Sequence, residues 1–375
     1  MRVLFVTFNG GSHFYSMVPL GWALAAAGHE VRVAAAPSFA GTVAAAGLVA
    51  VPVGDEPDLR SAYTGAAPGA GRGSRSLGMF LTAAEAMAGE LRTLAGRWRP
   101  HVIVYGPRAY AGVLAAAEIG VPAVRHLWGI DFAHDQRDRE RPQLDAFFQR
   151  HGAADVDPFG ALTVDPCPPS LQLDTGLPVL RQRYVPYNGL EHAPGWALRD
   201  AVHDLSRTRR ACVTWGTTFG TDKVNPVEVV SEGLAGLSVE VVVAVTAAQR
   251  DHVGALPPGV RVVADVPLHL LLPHCGVVVH HGGAGTNLTA VSCGVPQLTV
   301  PARGDHPLNA ERIVHAGVGR RIALDEFGPA TIGREVWQLL DDVAYREAAA
   351  RVRAEVRAAP APAAVVVDIE RIAGR

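Results

Sequence analysis

The stretch VVVHHGGAGTNLTAVSCGVPQL, Val277 to Leu298, runs three valines into two histidines, three glycines and a helix-forming segment. The valine run reads as a short strand buried on both faces, the signature of a parallel sheet. TNLTAVSCG reads as a helix that ends near Gly294. Gly282, Gly283 and Gly285 then occupy a strand-to-helix turn, where backbone can approach a ligand closely and a helix N-terminus favours an anion. Thr286 is expected to cap the helix and offer a hydroxyl, and a histidine beside the turn can donate to a phosphate oxygen. On the residues alone, an anion site and a plain structural turn are both open.

The same strand–turn–helix unit recurs in both directions along the chain. VLFVTF (Val3–Phe8) leads through NGGSHFYSM to the helix VPLGWALAAAG, which Gly28–His29 ends before VRVAAA (Val31–Ala36). HVIVYG (His101–Gly106), an Ala-rich helix at Ala111–Ile119 and PAVRHLW (Pro122–Trp128) continue the pattern, with TGAAPGAGRGSRS (Thr64–Ser76) expected as a loop. The proline-rich segment from Asp165 to Gly195 shows no helix and reads as a connection. Beyond it ACVTWGTTFG, VEVVVAVT, RVVADV, GVVVHHGG and PQLTVPA start the alternation again. These 375 residues are too many for one ordinary core. The reading is α/β, with two Rossmann-like, doubly wound parallel-sheet domains facing a cleft, and ligands at the carboxyl ends of the strands. Residues 1–195 form the first domain, with its linker from about 165, and residues 196–357 the second. The tail from Ala344 is helical with a break at Pro360–Pro362, and residues 358–375 are expected to pack back on the first domain.

Composition excludes several classes of function. Lys and Arg number 34 against 36 Asp and Glu, a formal charge of −2, which gives no electrostatic reason to expect nucleic acid as a partner. No apolar run reaches the ~20 residues of a membrane span, and the N-terminus lacks a cleavage-site pattern. Cys167, Cys212, Cys275 and Cys293 lie far apart without a CxxC, as expected of reduced thiols in the cytoplasm, and no metal site is expected.

HHGGAGTNLTAVSCGVPQLTVPARGDHPLNAERI (His280–Ile313) resembles the nucleotide-sugar signature of GT-B glycosyltransferases, especially the bacterial enzymes that decorate natural products. SHFYSMVPLGWALAAAGHEVRVA (Ser12–Ala34), VPLHLLLPHC (Val266–Cys275), PPSLQL (Pro168–Leu173) and RYVPYNG (Arg183–Gly189) share that likeness. The resemblance implies a donor diphosphate held by His281, Gly283, Ala284, Gly285 and Thr286, with further donors at Gly216, Thr217 and Thr218. Val266 and Leu268 would line the base pocket, although Asp265 stands where relatives often carry an aromatic residue. Asp305 and His306 would face the sugar, the histidine replacing a usual glutamine. UDP-sugar members place a ribose-binding glutamate eight positions after the phosphate histidine; here that position is Thr289. A deoxyribose has no 2′-hydroxyl to reward a desolvated carboxylate, so a dTDP-sugar is the expected donor substrate, with no cofactor.

On the acceptor side the resemblance makes His13, in the loop after the first strand, the general base. The carboxylate that relatives place after the strand HVIVYG is missing, Tyr105–Gly106 standing there instead. Asp131 is the nearest replacement, with Asp135 second, and a plain helix-capping role for Asp131 is the alternative. Phe14, Tyr15, Met79, Phe80, Trp128 and Phe132 are expected to line a hydrophobic acceptor pocket for an aromatic polyketide or a macrolide. The expected activity is inverting, metal-independent O-glycosylation. C-glycosylation of an aromatic polyketide through the loop aspartate is the alternative, and a non-catalytic auxiliary partner of another transferase is the alternative from a different class. Homodimerisation stays open. A dehydrogenase would need GxGxxG after the first strand, which FNGGSHFYS lacks, and an epimerase would need acids at the sugar.

Overall fold

The structure, a computed structural model, describes residues 1–59, 72–189, 209–216 and 225–374. The chain divides into two compact units, one of Met1–Cys167, Leu173–Gly189 and Ala359–Arg375, the other of Pro168–Gln172 and Leu190–Ala358.

The first unit is built on a seven-stranded sheet in which every pairing is parallel. Its strands are β1 (Arg2–Val6), β2 (Glu30–Ala35), β3 (Val49–Pro52), β4 (Val102–Tyr105), β5 (Ala123–His126), β6 (Leu162–Asp165) and β7 (Val179–Arg181), in the order β3-β2-β1-β4-β5-β6-β7. Side chains alternate between the faces of a strand. Leu4 and Val6 of β1 therefore join a core under the helices Arg72–Trp98 and Tyr110–Ile119, while Val3 and Phe5 join one under Val18–Ala26 and Pro362–Ile372. The terminal helix carries Val365, Val366 and Ile369 into that second core, and Pro360, two residues before it, accepts a hydrogen bond from the Arg183 amide at 2.7 Å. Proline at the start of this helix fits a position that needs no amide donor.

One expectation needs correction. Residues 72–76 are not loop: a 27-residue helix begins at Arg72, because Leu77, Phe80, Ala84, Met87 and Leu91 recur at helical spacing and bury on the sheet. Residues 64–71 lie outside the described residues. The proline-rich connection is free of helix from Asp165 to Gly189, but part of it forms the edge strand β7.

The second unit repeats the plan with six parallel strands in the order β10-β9-β8-β11-β12-β13. They are β8 (Arg210–Thr214), β9 (Glu240–Val245), β10 (Arg261–Ala264), β11 (Val277–His280), β12 (Gln297–Thr299) and β13 (Gly319–Arg321). Val277 and Val279 face one core and Val278 the other, which is why an unbroken valine run is needed here. In both sheets the order reverses beside the first strand, between β1 and β4 and between β8 and β11. At such a point the loops leaving the strands diverge and open a binding crevice at the carboxyl edge. Cys167, Cys212 and Cys275 are buried and form no disulfide. No helix among the described residues is long and apolar enough to cross a membrane.

Candidate active site

β11 ends in His280, which pairs in register with Thr214 of β8 and Thr299 of β12. The His280 ring is buried and held at both nitrogens. Gly282 N–H donates to Nδ1 at 3.1 Å, which leaves Nε2 to donate to Gln297 Oε1 at 2.9 Å. Gln297 Nε2 in turn donates to Asn287 Oδ1 at 3.2 Å. Burial lowers the His280 pKa to about 4, so the ring stays neutral and keeps this one tautomer. The carbonyl of Gly282 accepts from Asn309 Nδ2 at 2.8 Å. Gly282 is therefore pinned through both of its peptide groups in a left-handed conformation, φ 92°, which glycine adopts without strain. His280, Gln297, Asn287 and Asn309 had no role in the sequence reading; a polar residue inside a buried strand, such as Gln297, was the signal available. Replacing Gln297 by leucine strands the His280 N–H and the Asn287 carbonyl. The expected result is a loss of about 1–3 kcal/mol in stability, measured by urea unfolding.

The helix Ala284–Cys293 starts directly after this turn with Gly283 as its N-cap, in extended conformation and without a side-chain cap. Thr286 is thus the third helical residue and not the cap, and Gly285 lies inside the first turn. The pinned Gly282 begins the helix earlier than a threonine cap would. The opening amides of the helix point out of its N-terminal end. His281 lies across this end. A Cβ on Gly283 would come within 2.4 Å of its Nε2, and one on Gly216, after β8, within 2.8 Å of its Cε1. Both glycines are therefore space for the His281 ring. Its Nδ1 is buried with no hydrogen-bond partner. Burial, then the neighbouring His306, His280 and Arg303, hold its pKa well below the ordinary imidazole value. His306 opens the helix His306–His315 and meets His281 edge to face, with ring centroids 4.7 Å apart. Asp305 Oδ2 accepts from Asn309 Nδ2 at 3.0 Å, so one asparagine ties Asp305 to the carbonyl of Gly282.

Val266 and Leu268 are partly buried against Cys212, Val242, Ala244 and Leu271. Asp265 adopts φ 53° and accepts from the Ala247 amide at 2.9 Å, joining the loops after β9 and β10. The Thr289 hydroxyl donates to the Gly285 carbonyl at 2.7 Å within its helix. Thr217 and Thr218 lie outside the described residues.

In the first unit His13 sits on a helical turn, Gly11–Phe14, rather than in open loop. Its ring lies against Trp128 at 4.2 Å, Phe8 at 5.3 Å and Phe80 at 5.6 Å between centroids, and Nδ1 is 3.3 Å from Ser12 Oγ. A side chain on Gly10 would touch Nδ1 at 2.8 Å, so this glycine makes room for the ring. Phe8, which the sequence reading missed, completes this aromatic enclosure. Phe132 joins its border through Arg108, whose guanidinium stands 5.2 Å from the centroids of both Phe80 and Phe132. Arg108 is paired with Glu140 at 2.8 Å, deep in the unit. Met79 packs on the same core as Phe80. Phe14 differs from expectation: it is wholly buried in the opposite core, because successive residues of the turn face opposite sides. Tyr15 meets Tyr187 edge to face at 5.2 Å between centroids, on that opposite side too.

Tyr105 occupies the end of β4, where the resemblance led to the expectation of an acid. It is buried, donates to the Pro158 carbonyl at 2.9 Å and is held far above the usual phenol range by burial. Asp131 accepts from Arg125 Nη1 at 3.1 Å and Nη2 at 2.5 Å, and from the amide of His134 at 3.1 Å as the N-cap of Phe132–Asp135. Its carboxylate is thus held by a buried guanidinium and a helix end. Asp135 is exposed and accepts from Gln136 at 2.7 Å.

Two parallel α/β units of this kind define a GT-B nucleotide-sugar glycosyltransferase, and the solved structures agree. The glycosyltransferase VinC in complex with dTDP is 31% identical with a TM-score of 0.82, over 100% of both chains. The spinosyn rhamnosyltransferase SpnG complexed with spinosyn aglycone is 32% identical with a TM-score of 0.83, over 99% of this chain and 100% of that one. A 10-deoxymethynolide desosaminyltransferase of Streptomyces venezuelae is 35% identical across 100% of this chain and 98% of its own. The erythromycin biosynthesis protein CIII-like N-terminal domain matches residues 22–216 and the corresponding C-terminal domain residues 228–372. The chain belongs to that family and is a glycosyltransferase.

Proposed function

We propose that this enzyme transfers a deoxysugar from a dTDP-sugar to a hydroxyl of a hydrophobic polyketide-type acceptor, with inversion and without a metal ion. The observation that carries the donor half is His281, buried with an unpartnered Nδ1 over two glycines at the open end of a helix. An imidazole N–H and the helix amides offer donors to a diphosphate with no cation between. The acceptor half rests on His13 within Phe8, Phe80 and Trp128, an imidazole in apolar surroundings suited to a hydrophobic aglycone.

In this reading the acceptor oxygen attacks the anomeric carbon opposite the bond to the diphosphate. His13 takes the hydroxyl proton as the new C–O bond forms. The electron pair of the broken bond passes to the diphosphate, where His281 and the helix N-terminus stabilise the growing charge. Thr289 in place of a ribose-binding carboxylate favours thymidine over uridine nucleotides, consistent with relatives solved with dTDP. Because Asp131 is held by Arg125 and the His134 amide, O-transfer through His13 is favoured over C-transfer through a loop aspartate. His281→Ala should weaken dTDP binding by about tenfold to a hundredfold in calorimetry, the range of a hydrogen bond to a charged group. Unchanged affinity, or a wild-type enzyme that holds UDP as well as dTDP, would contradict the donor assignment.

A further inference from the structure

Gly282 lets the helix His306–His315 come down onto the turn. A Cβ at Gly282 would lie 3.2 Å from the His306 carbonyl oxygen and 3.3 Å from its Cβ. The close approach brings two imidazoles together, each 7% exposed, beside the N-termini of two helices. Among the described residues, the titratable and charged groups around His281 are His280 from β11, its ring 6.2 Å away, and Arg303, Asp305 and His306 from the segment that opens the second helix. Gly216 and Gln249, from the loops after β8 and β9, bring no charge to it. His280 is locked as a neutral tautomer by Gly282 and Gln297, so it holds no further proton. Asp305 is turned to Asn309. Two adjacent imidazoles therefore remain at the place where a multiply charged anion would arrive, and His281 has a nitrogen without a partner.

We propose that His281 and His306 act as one proton-accepting pair that takes up a proton when a nucleoside diphosphate binds, so that an imidazolium offsets the incoming charge. This deepens, and rests on, the reading of the turn as a diphosphate site. The proton comes from solvent on binding and returns to it when the product leaves. No bond is made or broken apart from N–H. His306 thereby becomes a second imidazole of the diphosphate site. Without ligand His281 is held neutral, since burial first, then the neighbouring His306, His280 and Arg303, disfavour its charged form. A bound diphosphate reverses that balance. The sign follows by linkage: a group whose pKa rises on binding makes affinity grow as pH falls, by up to about tenfold per pH unit.

The test is calorimetry with dTDP at pH 7.5 in HEPES and in Tris, whose ionisation enthalpies differ. Wild-type enzyme should show an observed enthalpy that depends on the buffer, corresponding to net proton uptake. His306→Gln, which keeps size and hydrogen bonding but holds no proton, should cut that uptake by at least about half. It should also weaken Kd roughly tenfold at pH 6.5, yet by no more than about twofold at pH 8.5. The ligand's own ionisation is common to both proteins and cancels in the comparison. His306→Asn replaces the glutamine variant if the latter does not fold. Binding without proton uptake, or uptake that the variant leaves unchanged, overturns the proton pair while the diphosphate site stands. Failure of the wild-type enzyme to bind dTDP overturns both.

Discussion

His13→Ala should lower kcat/KM for sugar transfer by about 10²–10⁴-fold while dTDP affinity stays within about twofold of wild type. The first figure is what a positioned general base ordinarily contributes; the second follows from the proposed reading, in which His281 and the helix Ala284–Cys293, not His13, hold the diphosphate. His13 has no packing duty that alanine would forfeit wholesale. It is half-buried; its neighbours Phe8 and Phe80 are held by their own core contacts, and Trp128 is itself buried against Phe80. A base must be unprotonated to act, so the fall of wild-type activity toward acid pH should also disappear in the variant. Steady-state kinetics across pH with a hydrophobic acceptor, alongside calorimetry with dTDP, checks both halves. Retained turnover would remove His13 from the chemistry. Lost nucleotide affinity would show that the substitution disturbs more than the base.

Asp131→Ala should cost about 3–5 kcal/mol of stability, enough to consume much of a typical domain's margin. Arg125 is 0% exposed and Asp131 2%. The guanidinium also donates to Thr163 Oγ1 at 3.1 Å and lies 4.8 Å from the Phe159 ring centroid. Removing the carboxylate leaves a buried cation uncompensated and takes the N-cap from Phe132–Asp135. Urea unfolding followed by tryptophan fluorescence measures the loss directly. The paired variant Asp131→Asn separates two roles. A structural aspartate predicts lost stability together with a near-normal rate for the protein that remains folded. A carboxylate serving His13 predicts a reduced kcat with stability preserved. A loss under about 1 kcal/mol in the alanine variant would contradict the ion pair as the main role of Asp131.

Much of the fold was legible because parallel strands buried on both faces must be continuous apolar runs, and VLFVTF, HVIVYG and CGVVVHH could be little else. The glycine-rich turn after β11 was legible for a related reason. Glycines clustered between such a strand and a helix left an anion site and a plain structural turn both open, and it was the order of motifs around them, matched to a family, that favoured the first. Local starts were less legible. Thr286 is a better cap by propensity than Gly283, yet tertiary bonds from His280 and Asn309 to Gly282 fix where the helix begins. The helix Arg72–Trp98 runs further toward its N-terminus than its Gly and Ser content suggests, because Leu77 and Phe80 bury on the sheet.

What sequence could not show was pairing at long range. Arg125 and Asp131 are six positions apart, but only the direction in which β5 presents Arg125 makes them partners. Arg108 with Glu140, Gln297 with both His280 and Asn287, and Phe8 beside His13 all depend on how elements pack. Phe14 and His13 are neighbours in sequence, yet one belongs to a core and the other to the candidate site. A missing acid after β4 could be read from Tyr105. That this tyrosine instead ties β4 to the Pro158 loop could not.

The most direct measurement is a crystal structure of the enzyme with dTDP bound. The diphosphate should lie at the N-terminus of Ala284–Cys293, with oxygens in hydrogen-bond reach of its opening amides and of the His281 ring. A nucleotide bound elsewhere, or that turn left empty beside an ordered ligand, would contradict the assignment from which the catalytic reading follows.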